Sequence, residues 1–296
     1  MKFHALLPVR DEADIIAQSL QHLLAWADAV YVFDTGSLDQ TWDIVQHFAS
    51  IDRRVVPLKK EAVFFSDKRL RAWIFNQARC RMSPGDWFLR ADADEFHEVA
   101  PPEFVRTRMR RHETAAYHQY YDFRLTCSEA KAWEWGQETL ADRNRPIEDR
   151  RRWFTVNSYT EPRLCRYRES MQWPEGVSFP YNAGYIARER LPIRHYPHRD
   201  PMQLARRCRL RAIMMADPEL ACSRHWAEAD WRRQVVPENL PGLQYWQPGT
   251  ELPQPRFTNH LAPLPKRALQ RLVHACCLPL LDRFRPGYTK AGRLKP

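Results

Sequence analysis

The stretch FLRADADEFHE, residues 88–98, gathers Asp92, Asp94, Glu95 and Glu98 in a chain whose formal net charge is +10. Asp92 and Asp94 stand one residue apart just past an apolar run, a spacing that turns both carboxylates to one side where a chain bends off a sheet edge. Oxygen donors of this kind suit hard divalent cations such as Mg²⁺ or Mn²⁺, not the metals that seek thiolates. Mg²⁺ takes one or two protein carboxylates and fills its shell with water and phosphate oxygens, so the cluster implies a phosphorylated ligand. A cation would also relieve the repulsion between two close aspartates. Taken alone, the same residues read first as an exposed acidic turn that caps the next helix.

Position separates the two readings. FHALLPV (3–9), AVYVFD (29–34), RRVVPLKK (53–60) and DWFLRAD (86–92) read as strands, and amphipathic helical stretches lie between them. Asp39 and Thr41 cap the second of these helices. Four alternations of strand and helix predict a mostly parallel sheet with helices on both faces. Ligands of such sheets bind beyond the carboxyl ends of the strands. Arg10 to Glu12, Asp34 to Ser37 and Asp92 to Glu95 should therefore meet in one crevice.

Beyond residue 115 the pattern loosens. AAYHQYYDFRL, PRLCRY and the end of LPIRHYPHRD read as strands, 130–152 is a charged stretch, and PMQLARRCRLRAIMMA is a helix opened by Pro201. Arg199, Arg206 and Arg207 read as a solvated face of that helix, whose N-terminus could also receive phosphate oxygens. Residues 217–265 are rich in Pro and Trp, and KRALQRLVHACCLPLLDRFR is a basic amphipathic segment interrupted at Pro279.

With 296 residues and 44% hydrophobic content, the chain can bury a substantial core. It shows no secretory leader and no run of about 18 apolar residues, so a cytoplasmic protein is expected. Seven cysteines without a CxxC pair read as reduced, structural thiols. From His195 onward 17 Lys and Arg face 8 Asp and Glu. That basic region suits packing on the main domain, the surface of an anionic membrane, or nucleic acid. No recognised nucleic-acid motif supports the last.

LPVRDEADII, AVYVFDTGSLDQTWDIV and DWFLRADADEF together resemble the family 2 glycosyltransferases with the GT-A fold. The resemblance implies an α/β, Rossmann-like, mostly parallel sheet flanked by helices over residues 1–216, with a nucleotide-sugar half (1–100) and an acceptor half (101–216). Residues 217–296 form an irregular and helical extension. It implies transfer of a sugar from a nucleoside-diphosphate donor, UDP-sugar by preference, to a hydroxyl of a glycan or lipid-linked acceptor in cell-surface polysaccharide synthesis, with inversion. By the same resemblance Pro8, Arg10, Glu12, Asp34, Lys68, Arg71, Asp92 and Ala93 line the donor, and Asp94, Asp92 and His195 hold Mn²⁺ or Mg²⁺. Asp11 stands where the family often has Asn, and Thr35 where it often has a second Asp.

An inverting transfer needs a general base for the acceptor hydroxyl, and Glu161, Glu175 and Asp200 are the candidates. Two other classes compete with this reading. A nucleotidyltransferase shares the architecture but usually carries a glycine-rich loop after strand one, and PVRDEADI has no glycine. A noncatalytic basic binding protein would leave the acidic turn purely structural.

Overall fold

A computed structural model of the chain describes residues 1–63, 67–181, 183–216 and 230–253, with isolated positions between 265 and 272. The elements run β1 (Phe3–Val9), α1 (Ile16–Leu24), β2 (Ala29–Asp34), α2 (Thr41–Ile51), β3 (Val55–Lys60), α3 (Asp67–Ala78), β4 (Trp87–Arg90), β5 (Glu95–His97) and α4 (Pro101–Thr107). They continue with β6 (Ala115–Phe123), α5 (Cys127–Glu134), α6 (Ile147–Arg150), β7 (Trp153–Val156), β8 (Pro162–Arg166), β9 (Leu191–His195), α7 (Pro201–Ala216) and β10 (Gln244–Tyr245). The sheet order is β10-β7-β6-β8-β4-β1-β2-β3, with β5 and β9 paired beside β6.

β1 is buried along its whole length, as expected for a central strand covered on both faces. Its side chains alternate between two cores. Ala5, Leu7 and Val9 join Ile16, Leu20 and Leu23 of α1, whereas Leu6 joins Phe33, Phe75 and Phe88 on the side of α3. The GT-A type α/β architecture is thus present, but the run of neighbouring parallel strands β3, β2, β1 and β4 stops at β4. Beyond it β8, β6, β7 and β10 pair antiparallel, while β9 pairs parallel with β6 and antiparallel with β5. The charged stretch 130–152 supplies α5 and α6, where Arg150 and Arg151 are buried on Glu138.

Within the C-terminal extension, β10 lengthens the sheet beside β7, and Trp246 packs edge-on against Phe123. The basic amphipathic segment lies outside the described residues apart from Ala268, Leu269 and Leu272. Among the described residues no helix is long and apolar enough to cross a membrane.

Candidate active site

β1, β2 and β4 end at one edge: Val9 pairs with Asp34, and Leu6 with Arg90. The loop after β2 is tied by its own first residue. Asp34 Oδ1 accepts the backbone N–H of Gly36 at 2.9 Å and of Ser37 at 2.6 Å. Gly36 has φ +96°, and a Cβ there would lie 2.7 Å from Ala62 Cα, so only glycine fits. Arg10 straps this loop from β1 by donating to the carbonyls of Thr35 and Val63, both at 3.1 Å. Asp11 adopts φ +53° and accepts the N–H of Leu38 at 2.8 Å. The second Asp34 oxygen, Oδ2, is buried without a hydrogen-bond partner among the described residues, an open acceptor at the strand end.

The acidic turn divides its carboxylates between two sets of cations. Asp92 Oδ1 receives Arg71 at 2.5 Å and Oδ2 lies 3.2 Å from Arg163. Arg163 also pairs with Glu95 at 2.6 Å, touches the Tyr120 hydroxyl and lies 3.6 Å from Glu161. Burial lifts Glu95 to about 8 against the pull of Arg163. Asp94 turns the other way, with its Oδ2 at 3.6 Å from His195 Nε2, 3.7 Å from Arg199 and 3.8 Å from Arg207. Burial alone would raise the Asp94 pKa, but His195, then Arg207 and Arg199, hold it well below the usual carboxylate range.

His195 is brought in by β9, which pairs with β5 so that His195 faces Glu95. Its Nδ1 lies 2.7 Å from Asp122 Oδ1, and its ring stacks on Tyr120 with centroids 4.6 Å apart. Burial alone would lower its pKa, yet Asp94 and Asp122 outweigh that and raise it to about 10. A cation is thereby favoured between the two carboxylates. Arg199 is 1% exposed, which overturns its reading as a solvated residue. It donates to Asp14 at 2.6 Å and to Glu12, and so ties α7 to the loop after β1. Arg206 and Arg207 are partly exposed, and Arg206 pairs with Asp39 at 3.0 Å.

Among the three base candidates, Glu161 shares the Arg163 guanidinium with Asp92. Its Oε2 also accepts the Tyr159 hydroxyl at 2.9 Å. Glu175 is exposed in the turn after the buried Trp173. Asp200 is fully buried, held by Arg143 through contacts of 2.8 and 3.0 Å, and accepts the N–H of Gln203 in the first turn of α7. This geometry gives it a structural task. Pro8 and Ala93 are buried at the strand ends, and the Lys68 side chain lies outside the described residues. Arg163, Asp122 and Tyr120 escaped the sequence reading. A charged residue on a short strand reads as solvent-facing unless its cross-sheet partner is known, and the period-two alternation of Arg163 with Leu164 gave no sign that both faces of β8 are buried.

The donor set fits a divalent ion held mostly by its ligand. Metal–oxygen and metal–nitrogen bonds of about 2.1 Å can reach one ion from both Asp94 Oδ2 and His195 Nε2 across their separation of 3.6 Å. Both Asp92 oxygens already face guanidiniums, so Asp92 acts here as an anchor for Arg71 and Arg163. Among the described residues no group of three or more His, Cys, Asp or Glu forms a complete metal cage. Phosphate and water would therefore supply the remaining ligands. In the same network Glu12, Asp14, Asp92, Asp94, Glu95 and Glu161 meet Arg71, Arg90, Arg163, Arg199 and Arg207, and Asp122 meets His195.

The family model described as glycosyl transferase family 2 matches residues 5–172, more than half of the chain. No curated protein matches it significantly in sequence. Solved structures similar to it include a mannosyltransferase from Pyrobaculum calidifontis in complex with GDP-Man and Mn²⁺, at 18% identity and a TM-score of 0.31 over 45% of this chain and 40% of that one. Mannosyl-3-phosphoglycerate synthase from Rubrobacter xylanophilus matches at 14% identity and a TM-score of 0.36 over 73% of this chain and 72% of that one. Glucosyl-3-phosphoglycerate synthase from Mycobacterium tuberculosis, in complex with phosphoglyceric acid, matches at 16% identity and a TM-score of 0.26, over 56% of each chain. The chain thus spans well under two thirds of the first and third of these.

Proposed function

The chain belongs to glycosyl transferase family 2 and is a glycosyltransferase, and we propose that it moves a sugar from a nucleoside-diphosphate donor to a hydroxyl of a glycan or lipid-linked acceptor, with inversion. The observation that carries this reading is Asp94: a buried carboxylate held ionised, facing His195 Nε2 at the edge where β1, β2 and β4 end. Asp34 Oδ2 has no partner among the described residues and would accept a hydrogen bond from the donor's base or ribose. Asp94 and His195 would hold Mn²⁺ or Mg²⁺, and Arg207, partly exposed beside them, would face the phosphates. A bound divalent ion acts as a Lewis acid on the departing diphosphate, a contribution of several kcal/mol.

Arg71 and Arg163 fix Asp92, so that the turn presenting Asp94 keeps its shape as the ligand enters. Glu161 is the general base favoured by this arrangement. It shares the Arg163 guanidinium with Asp92 and lies 3.3 Å from Arg90 at the acidic turn, whereas Glu175 makes no ion pair with that turn among the described residues and Asp200 is buried on Arg143. Tyr159, whose hydroxyl donates to Glu161, is 59% exposed and would offer an aromatic face to an acceptor ring.

A thermal-shift panel of UDP, GDP, CDP and their sugars, each with and without Mn²⁺, tests the reading. A ligand at 100 times its dissociation constant stabilises the fold by about 2.7 kcal/mol. One nucleotide should stabilise the chain only when metal is present, and Asp94→Ala should remove the effect and the turnover. Stabilisation by none of them, or a folded Asp94→Ala variant with unchanged turnover, would overturn the assignment.

A further inference from the structure

We propose that Asp122 is a positioning residue which sets the tautomer of His195, so that Nε2 presents its lone pair beside Asp94 to a divalent cation. This inference rests on the metal reading above and deepens it. Asp122 lies on β6 opposite His195 of β9, and no motif near it singles it out. Its Oδ1 sits 2.7 Å from His195 Nδ1, and its Oδ2 accepts Asn157 Nδ2 at 2.7 Å. The orientation of the Asn157 amide is fixed in turn, because its Oδ1 accepts the N–H of Tyr159 at 2.9 Å. Asn157 must therefore offer a donor to Asp122, and Asp122 must offer an acceptor to Nδ1. The Nδ1 proton stays in place, and the ligating lone pair falls on Nε2.

Outer carboxylates that orient a ligating histidine usually account for about 10–100-fold in metal affinity. The chain of donors makes a sharper forecast for Asp122→Asn. Asn157 still donates, so the new amide must turn its oxygen to Asn157 and its NH₂ to His195 Nδ1. The ring proton then moves to Nε2 and blocks the metal position. Exchanging the two residues, Asp122→Asn with Asn157→Asp, reverses this: the carboxylate introduced at position 157 accepts the amide NH₂, and the amide oxygen again faces Nδ1–H. A merely structural role for Asp122 predicts no such recovery.

The experiment is a Mn²⁺ titration of the full chain without nucleotide, followed by the electron paramagnetic resonance of the free ion, with circular dichroism as the check of folding. Wild type should bind Mn²⁺ saturably, Asp122→Asn about 10–100-fold more weakly, and the exchanged pair to within a few-fold of wild type. Equal affinity of wild type and folded Asp122→Asn would overturn the proposal alone. Were Asp122→Asn not to fold, the exchanged pair decides, and a folded exchange that binds tenfold more weakly than wild type overturns it. A wild-type chain that takes up no Mn²⁺ overturns the metal reading itself, and this proposal with it.

Discussion

Arg199 offers the most direct test of how this site is built. Its guanidinium is 1% exposed and meets Asp14 at 2.6 and 3.2 Å, Glu12, and Asp94 at 3.7 Å, while it also donates to the carbonyl of Tyr196 at 3.2 Å. Arg199→Met keeps most of the volume and removes the charge, which leaves three carboxylates crowded in a place water barely enters. Removing one partner of a buried ion pair costs about 3–5 kcal/mol, against a total stability of about 5–15 kcal/mol for a domain. At roughly 2–4 °C per kcal/mol for a domain of this size, the melting temperature should fall by about 6–20 °C. Arg199→Lys keeps the charge but loses the planar fork, and should cost about 1–3 kcal/mol. Adding Asp14→Leu to Arg199→Met should recover part of the loss, since an apolar replacement of a whole buried pair is often neutral or better. Urea unfolding followed by circular dichroism reads these variants, wild type and Asp14→Leu alone. An unchanged midpoint for Arg199→Met, or strictly additive effects of Arg199→Met and Asp14→Leu, would refute the view that this guanidinium balances the loop after β1.

Other expectations follow from single residues. Gly36→Ala places a Cβ 2.7 Å from Ala62 Cα at φ +96°, and should cost about 1–3 kcal/mol in a thermal melt as well as weaken nucleotide binding at Asp34; wild-type behaviour in both would remove the steric argument. Asp11 at φ +53° should accept Asn, which keeps an oxygen for the Leu38 N–H, with little change, whereas Asp11→Val should lose about 1–2 kcal/mol, measured by the same melt. Burial pushes His22 down to about 4 from 6.5 and keeps its neighbour His97 well below the imidazole range. Because the unfolded chain binds the extra proton between those values, the stability His22 contributes is present above pH 6.5 and lost as pH falls towards 4. His22→Gln should therefore flatten the fall in melting temperature between pH 7 and 5, and an identical slope would count against the burial argument. Glu161→Gln should lower turnover by about 10²–10⁴-fold without loss of metal-dependent nucleotide binding; Glu175→Gln should not, and the reverse result would move the base to Glu175.

Local pattern determined much of this protein. Apolar runs bounded by turn residues defined β1 to β4, and their alternation with helices sufficed to predict that Arg10, Asp34 and Asp92 to Glu95 would share one sheet edge. It worked because strand period and connection handedness are local and nearly invariant. Pro201 opens α7 where its composition indicated. The second half was less legible, since its strands, apart from the nine-residue β6, are short and pair across long sequence separations. There the decisive facts are cross-strand: Arg163 is buried because β8 lies beside β4, and Asp122 meets His195 because β6 lies beside β9. The destinies of Asp200 and Arg199, adjacent in sequence, show the same limit. One is taken by Arg143 and the other by Glu12 and Asp14. Sequence chemistry named the ionisable groups, but only the tertiary fold decided which charges face one another, because in a buried site the environment and partner of a carboxylate, more than its type, set whether it binds, anchors or reacts.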